Sequence, residues 1–120
     1  NIALGPRTSW DGNEADDAAQ ESYSHALTRA VAAISAFNPD ALVVSLGLDT
    51  LRNDPVQLPE AKMMLDMPDY LKMGKLIGSL GLPTVVVQEG GYVVQAEGGV
   101  GEAVANVLAG VVGSGGRCHP

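Results

Sequence analysis

The sequence predicts an α/β fold, a three-layer α-β-α arrangement with parallel strands, on three observations. The runs Ala41 to Leu46 and Thr84 to Val87 are almost continuously apolar and rich in β-branched residues, as strands covered by helices on both faces are. A helix-length segment separates them, long enough for a right-handed crossover that leaves the strands parallel with their C-terminal ends side by side. The remaining apolar residues recur at helical spacing, which gives the order α-β-α-β-α without internal repeats or a domain boundary.

Each element follows from its own residues. After a polar loop at Thr8 to Asn13, the residues Tyr23, Leu27, Ala30, Ile34 and Phe37 mark an amphipathic helix that must stop before Pro39. The first strand is predicted over Ala41 to Leu48 and is followed by a loop from Asp49 to Met63. Asp66, with Pro68 in the first turn, is placed to cap a second helix. Its residues Tyr70, Met73, Ile77 and Leu80 share one face, and Gly81 ends it. The second strand is predicted over Thr84 to Gln88. A Gly-Gly-Tyr turn leads to a third helix outlined by Val100, Val104, Val107, Leu108 and Val111.

Open α/β sheets carry their ligand sites at the C-terminal edge of the strands. Two reactive side chains are delivered there, Asp49 after the first strand and Tyr92 after the second. A buried carboxylate at a strand end needs a cation, a helix N-terminus or backbone donors, since an isolated charge costs several kcal/mol or takes up a proton. Asp49 is therefore a candidate metal ligand; it could equally cap its own loop through the backbone of Leu51 or Arg52, or pair with Arg52. Tyr92 follows Gly90 and Gly91, which permit backbone angles and close approach that a side chain would block. The phenol either points into a site or leaves its hydroxyl in water. Asp54, before Pro55, is expected to order the loop through backbone hydrogen bonds, and Glu89 to pair with a cation or brace the turn.

The stretches SLGLDTLRNDP and QEGGY, in this order and strand context, resemble the "G-F-D-x-x-x-x-D-P" and "E-G-G-Y" segments of the histone deacetylase and acetylpolyamine amidohydrolase superfamily. The opening NIALGPRTSWDG is similar to the family's "N-x-P-L-x-x-G-T" segment, with Ala3 in place of a usual proline. Leu48 replaces the commoner phenylalanine, and Val93 stands where asparagine is frequent. The resemblance runs from Asn1 to about Val112 and is closest to acetylpolyamine-type and other bacterial deacetylases. It implies an arginase/deacetylase-like fold, of which residues 1–112 would form the C-terminal part of the catalytic domain, with 113–120 a flexible Gly-rich tail.

The resemblance also implies chemistry: zinc-dependent hydrolysis of an acetylated amine, an acetylpolyamine or an acetyl-lysine side chain, to acetate and free amine. Asp49 would be one zinc ligand and Tyr92 the oxyanion-stabilising donor, with Gly90, Gly91 and Val56 lining the substrate position. The family takes its other ligands from an Asp-x-His segment and uses a histidine pair beside the attacking water. This chain contains neither pattern, so the 120 residues alone are expected to be inactive. The alternative is a non-catalytic binding or interaction domain that keeps the fold. A homo-oligomer is compatible with either reading.

Composition sets outer bounds. With 120 residues, 46% of them hydrophobic, and a mean hydropathy of +0.12, the chain can bury one modest core. A net charge of −7 with seven scattered Lys and Arg argues against a nucleic-acid partner. The single Cys118 excludes an internal disulfide and fits a reducing, cytoplasmic location. No apolar run has membrane-spanning length. His25 reads as a helical surface residue. Cys118 and His119 match no tetrahedral zinc spacing. The Gly98 to Gly101 cluster lacks both the strand before it and the lysine that a phosphate loop needs.

Overall fold

The computed structural model describes residues 2, 4, 7–12, 21–58 and 62–114. Its elements are α1 (Tyr23–Phe37), β1 (Leu42–Gly47), a short 3-10 turn (Leu48–Thr50), α2 (Met67–Gly78), β2 (Thr84–Glu89) and α3 (Val100–Gly113). β1 and β2 pair in parallel, with Leu42 opposite Thr84 and Gly47 opposite Glu89. The α/β class and the parallel pairing are as the sequence predicts.

The helix boundaries have local causes. Ser22 caps α1 by accepting from the His25 N–H at 3.3 Å. Asn38 ends the helix in the left-handed conformation (φ 54°), where its N–H donates back to the Ile34 and Ser35 carbonyls. Pro39 then forbids continuation. Asp66 precedes α2, and its N–H donates to Asp69 Oδ2 at 2.9 Å, which places a carboxylate over the unpaired amides of the first turn.

One core gathers Leu46, Leu48, Leu51, Leu65, Tyr70, Met73, Ile77, Val93, Ala103 and Val107. β1 sends Leu42, Val44 and Leu46 toward it and β2 sends Val86. The opposite sheet face is different: Val43 is 69% and Val85 59% exposed, and Val87 is also exposed. Strands covered on both faces are therefore not what the described residues form. They build a helical layer on one side of a sheet whose other side is open, because the third layer has no element among them.

Three further expectations are corrected. Thr8 and Ser9, assigned to a polar loop, are buried. Their segment runs beside residues 62–64, with Arg7 N–H donating to the Lys62 carbonyl at 2.7 Å and Met64 N–H to the Thr8 carbonyl at 3.0 Å. Backbone pairing satisfies groups that a polar loop would have left to water. Phe37, counted in the α1 stripe, is 81% exposed, since only the first turns of the helix, at Tyr23 and Leu27, pack against the core. α3 continues through Gly113, the first residue of the stretch read as a tail. Residues 115–120, with Cys118 and His119, lie outside the described residues, as does Asn13. No helix of the described residues is long and apolar enough to cross a membrane.

Candidate active site at the strand ends

Parallel pairing brings the ends of β1 and β2 to one edge, and the two loops that leave them touch there. β1 stops at Gly47 and turns into the 3-10 turn that carries Asp49 at its centre. Asp49 is exposed, not buried as the strand-end argument assumed. Its carboxylate lies along the backbone of Gly90: a Cβ built on that glycine would sit 3.6 Å from the carboxyl carbon. The backbone amides proposed as alternative partners are engaged elsewhere, Leu51 N–H with the Leu48 carbonyl at 3.2 Å and Arg52 N–H with the Leu65 carbonyl at 2.9 Å. The Arg52 guanidinium meets Asp66 at 2.8 Å.

Gly90 and Gly91 adopt φ of 60° and 92°, conformations that a side chain rarely tolerates. Gly91 also has no room for one, because a Cβ there would lie 2.6 Å from the Leu48 Cβ and 2.8 Å from Val100 Cγ1. The chain consequently passes tightly over the end of β1 before it presents Tyr92, which is 53% exposed. Val93 is buried in the core. A valine at that position is held by packing, while its carbonyl accepts from Val100 N–H at 2.9 Å.

Asp54 joins the two loops. It is 4% exposed; Oδ1 accepts from Val56 N–H at 3.0 Å and Oδ2 from Tyr92 N–H at 2.7 Å. The expected ordering of its own loop is present at Val56, and the bond to Tyr92, 38 residues away, is an addition that local sequence does not announce. Val56 itself is exposed. Glu89 braces the strand end by accepting from Ser45 Oγ at 3.2 Å, and among the described residues no cation is seen to pair with it. His25 is exposed on α1 and 3.6 Å from Glu21, away from either strand end.

Two supports were not legible in advance. Gln57 spans the 49–63 loop: its amide nitrogen donates to the Asp49 carbonyl and to the Leu51 carbonyl at 2.7 Å, and its oxygen accepts from Met63 N–H. Tyr70 Oη is 3.0 Å from Thr50 Oγ1, which donates to the Gly47 carbonyl at 3.0 Å. With the threonine proton so used, the phenol is the donor of the pair. Burial raises the Tyr70 phenol well above its ordinary range, and the nearby Tyr23, Asp49 and Asp54 add to the rise.

The edge thus presents an exposed carboxylate, an exposed phenol and a glycine turn between them. Among the described residues no three His, Cys, Asp or Glu side chains are grouped so as to hold a metal ion. Asp49 fits as one ligand of a shared metal site but cannot form one alone, since a zinc site uses three or four protein ligands.

An α/β sheet edge with this aspartate and this tyrosine is the arrangement expected of a deacetylase-type domain. Residues 5–110 match the histone deacetylase domain, and the chain belongs to that family. It is 47% identical over 92 residues to acetylpolyamine amidohydrolase 1 of Pseudomonas aeruginosa, covering 77% of this chain and 25% of that protein. It is 45% identical over 91 residues to the acetylpolyamine amidohydrolase of Mycoplana ramosa, covering 76% and 25%. The crystal structure of acetylpolyamine aminohydrolase from Burkholderia pseudomallei superimposes with a TM-score of 0.70 at 32% identity, over 95% of this chain and 28% of that one. The chain therefore spans about a quarter of the length of these relatives.

Proposed function

We propose that this chain contributes the tyrosine and one metal ligand to a zinc-dependent deacetylase that hydrolyses an acetylated amine, an acetylated polyamine before an acetyl-lysine side chain. The observation that carries the reading is the contact between the two strand-end loops, with the Asp49 carboxylate against Gly90, two residues before Tyr92. The preference for a polyamine follows from the relatives, which are acetylpolyamine amidohydrolases.

In this reading Asp49 supplies one oxygen to zinc, and the remaining ligands come from the part of the catalytic domain that this chain does not span. Bound zinc supplies Lewis-acid polarisation and an activated water. Tyr92 donates its hydroxyl proton in a hydrogen bond to the amide oxygen as negative charge develops there. Gly90 and Gly91 would border the acyl group with their backbone, and Val56 its approach, while the missing side chains make room for Asp49 and for Leu48 and Val100. The amide C–N bond breaks; water's hydroxyl joins the acetyl group, and its proton goes to the departing amine. By the same reasoning the isolated 120 residues are inactive.

The test uses a protein with the complete catalytic domain. Asp49→Ala is expected to lose bound zinc by metal analysis. Tyr92→Phe is expected to keep zinc and to lose about 10²- to 10³-fold in kcat on acetylpolyamines. Full zinc content in the first variant, or full turnover in the second, removes that residue from its role. A complete domain that binds acetylpolyamine without hydrolysing it would instead mark a binding domain.

A further inference from the structure

We infer that Asp54 is a positioning residue, a carboxylate clamp that fixes Tyr92 relative to the Asp49 loop. The assignment of a catalytic consequence rests on the deacetylase reading above, whereas the clamp itself rests on geometry alone.

The need for a clamp arises from the glycines. Gly90 and Gly91 both lie at positive φ, in a region where glycine is unhindered and offers little intrinsic stiffness. Tyr92 is about half exposed, so packing alone holds it far less firmly than a core residue. Its backbone must therefore be held from outside. On the far side, Val93 is pinned by burial and by the bond from Val100 N–H. On the near side the holding contact is Tyr92 N–H to Asp54 Oδ2, at 2.7 Å the shorter of that carboxylate's two bonds.

Asp54 is in turn well anchored. Its own N–H donates to the Leu51 carbonyl at 2.8 Å, its other oxygen holds Val56 N–H, and it is buried. Hydrogen bonds to an ionised acceptor are shorter and stronger than neutral ones, and a buried carboxylate that loses its donors is penalised. One side chain thereby ties the loop that carries Asp49 and Val56 to the residue that carries the phenol. Only a carboxylate suits the place: two N–H donors face two oxygens, and an asparagine would turn an NH₂ toward one of them.

The clamp is tested first by amide hydrogen exchange in a protein with the complete catalytic domain. Unmodified, the Tyr92 amide should exchange at least about tenfold more slowly than a free amide. In Asp54→Asn it should exchange about tenfold faster than in the unmodified chain, while the Val86 amide in the sheet keeps its protection. Exchange of Tyr92 at the free rate in the unmodified chain overturns the proposal, and this measurement stands even if the variant does not fold.

The consequence is tested in the same protein. Asp54→Asn should retain zinc and keep KM within about twofold while kcat falls by about 10- to 100-fold, the scale of a misplaced catalytic group. In a Tyr92→Phe background the same substitution should cost less than about twofold, because there is no hydroxyl left to aim. An equal loss in both backgrounds overturns the positioning role, being what general loosening of the fold would give. Full activity of Tyr92→Phe alone would defeat the deacetylase reading instead, and the amide exchange then decides the clamp by itself.

Discussion

Tyr70 shows how much a single buried residue can carry. Its ring sits in the core, and its hydroxyl, through Thr50, supports the Gly47 carbonyl two residues before Asp49. Removing the hydroxyl in Tyr70→Phe should destabilise the chain by about 1 kcal/mol, read from urea unfolding at neutral pH. The phenol also sets an alkaline limit. Its folded value lies above the ordinary 10.0 because of burial, so the unfolded chain releases the proton first. The stability it protects is complete below pH ~10 and is lost as pH rises from there toward the folded value, by up to about 1.4 kcal/mol per pH unit. Tyr70→Phe should therefore lose stability less steeply than the unmodified chain between pH 9 and 11; identical slopes would deny the phenol that role. The placing of Asp49 and Tyr92 at one sheet edge was legible in the sequence because each lies just after a strand-like run, within a short motif. Tyr70, Gln57 and the second contact of Asp54 were not, since their partners lie at distances in sequence that only the folded chain closes.

The elements were legible wherever burial imposed a period. The stripe of α2, its cap at Asp66, the stop of α1 before Pro39 and the two strands follow from apolar spacing and from turn and cap residues. What the period does not reveal is how closely two helices approach. α2 and α3 meet through glycines: a Cβ on Gly74 would lie 2.1 Å from the Val107 carbonyl oxygen, and one on Gly110 would lie 2.5 Å from that of Leu71. These positions carry no apolar signal, although they decide the interhelical distance. Gly74→Ala gains about 1 kcal/mol in helix propensity but forces backbone apart, and overpacking of this kind costs about 1–3 kcal/mol. The obstacle is a carbonyl and not the end of a flexible side chain, so the steric cost should win. The variant is expected to unfold at a lower temperature than the unmodified chain, and a raised Tm would show that the helices separate freely. Gly101, exposed with open space around it, is the control: alanine there should not lower Tm.

At the scale of the molecule, the pattern of Val43, Val85 and Val87 carries a message that the strand prediction only half used. Their continuous apolar character belongs to strands buried twice, yet among the described residues only the face of Leu42, Val44, Leu46 and Val86 is packed. The strands are thus written for more cover than the described residues provide, and the chain spans about a quarter of the length of its relatives. Burying a valine fully is worth about 1.5–3 kcal/mol, whereas substitutions on open surface stay within about 0.5 kcal/mol. The double variant Val43→Thr with Val85→Thr should therefore leave the unfolding free energy of the isolated chain within about 1 kcal/mol of its original value. It should also weaken the binding of an apolar dye such as anilinonaphthalene sulfonate, which reports the exposed face. In a protein with the complete catalytic domain the same pair should cost several kcal/mol, because the valines there meet a second layer. A large loss of stability in the isolated chain would show the face already covered, for instance by a second copy, and sedimentation at increasing concentration would then reveal the dimer.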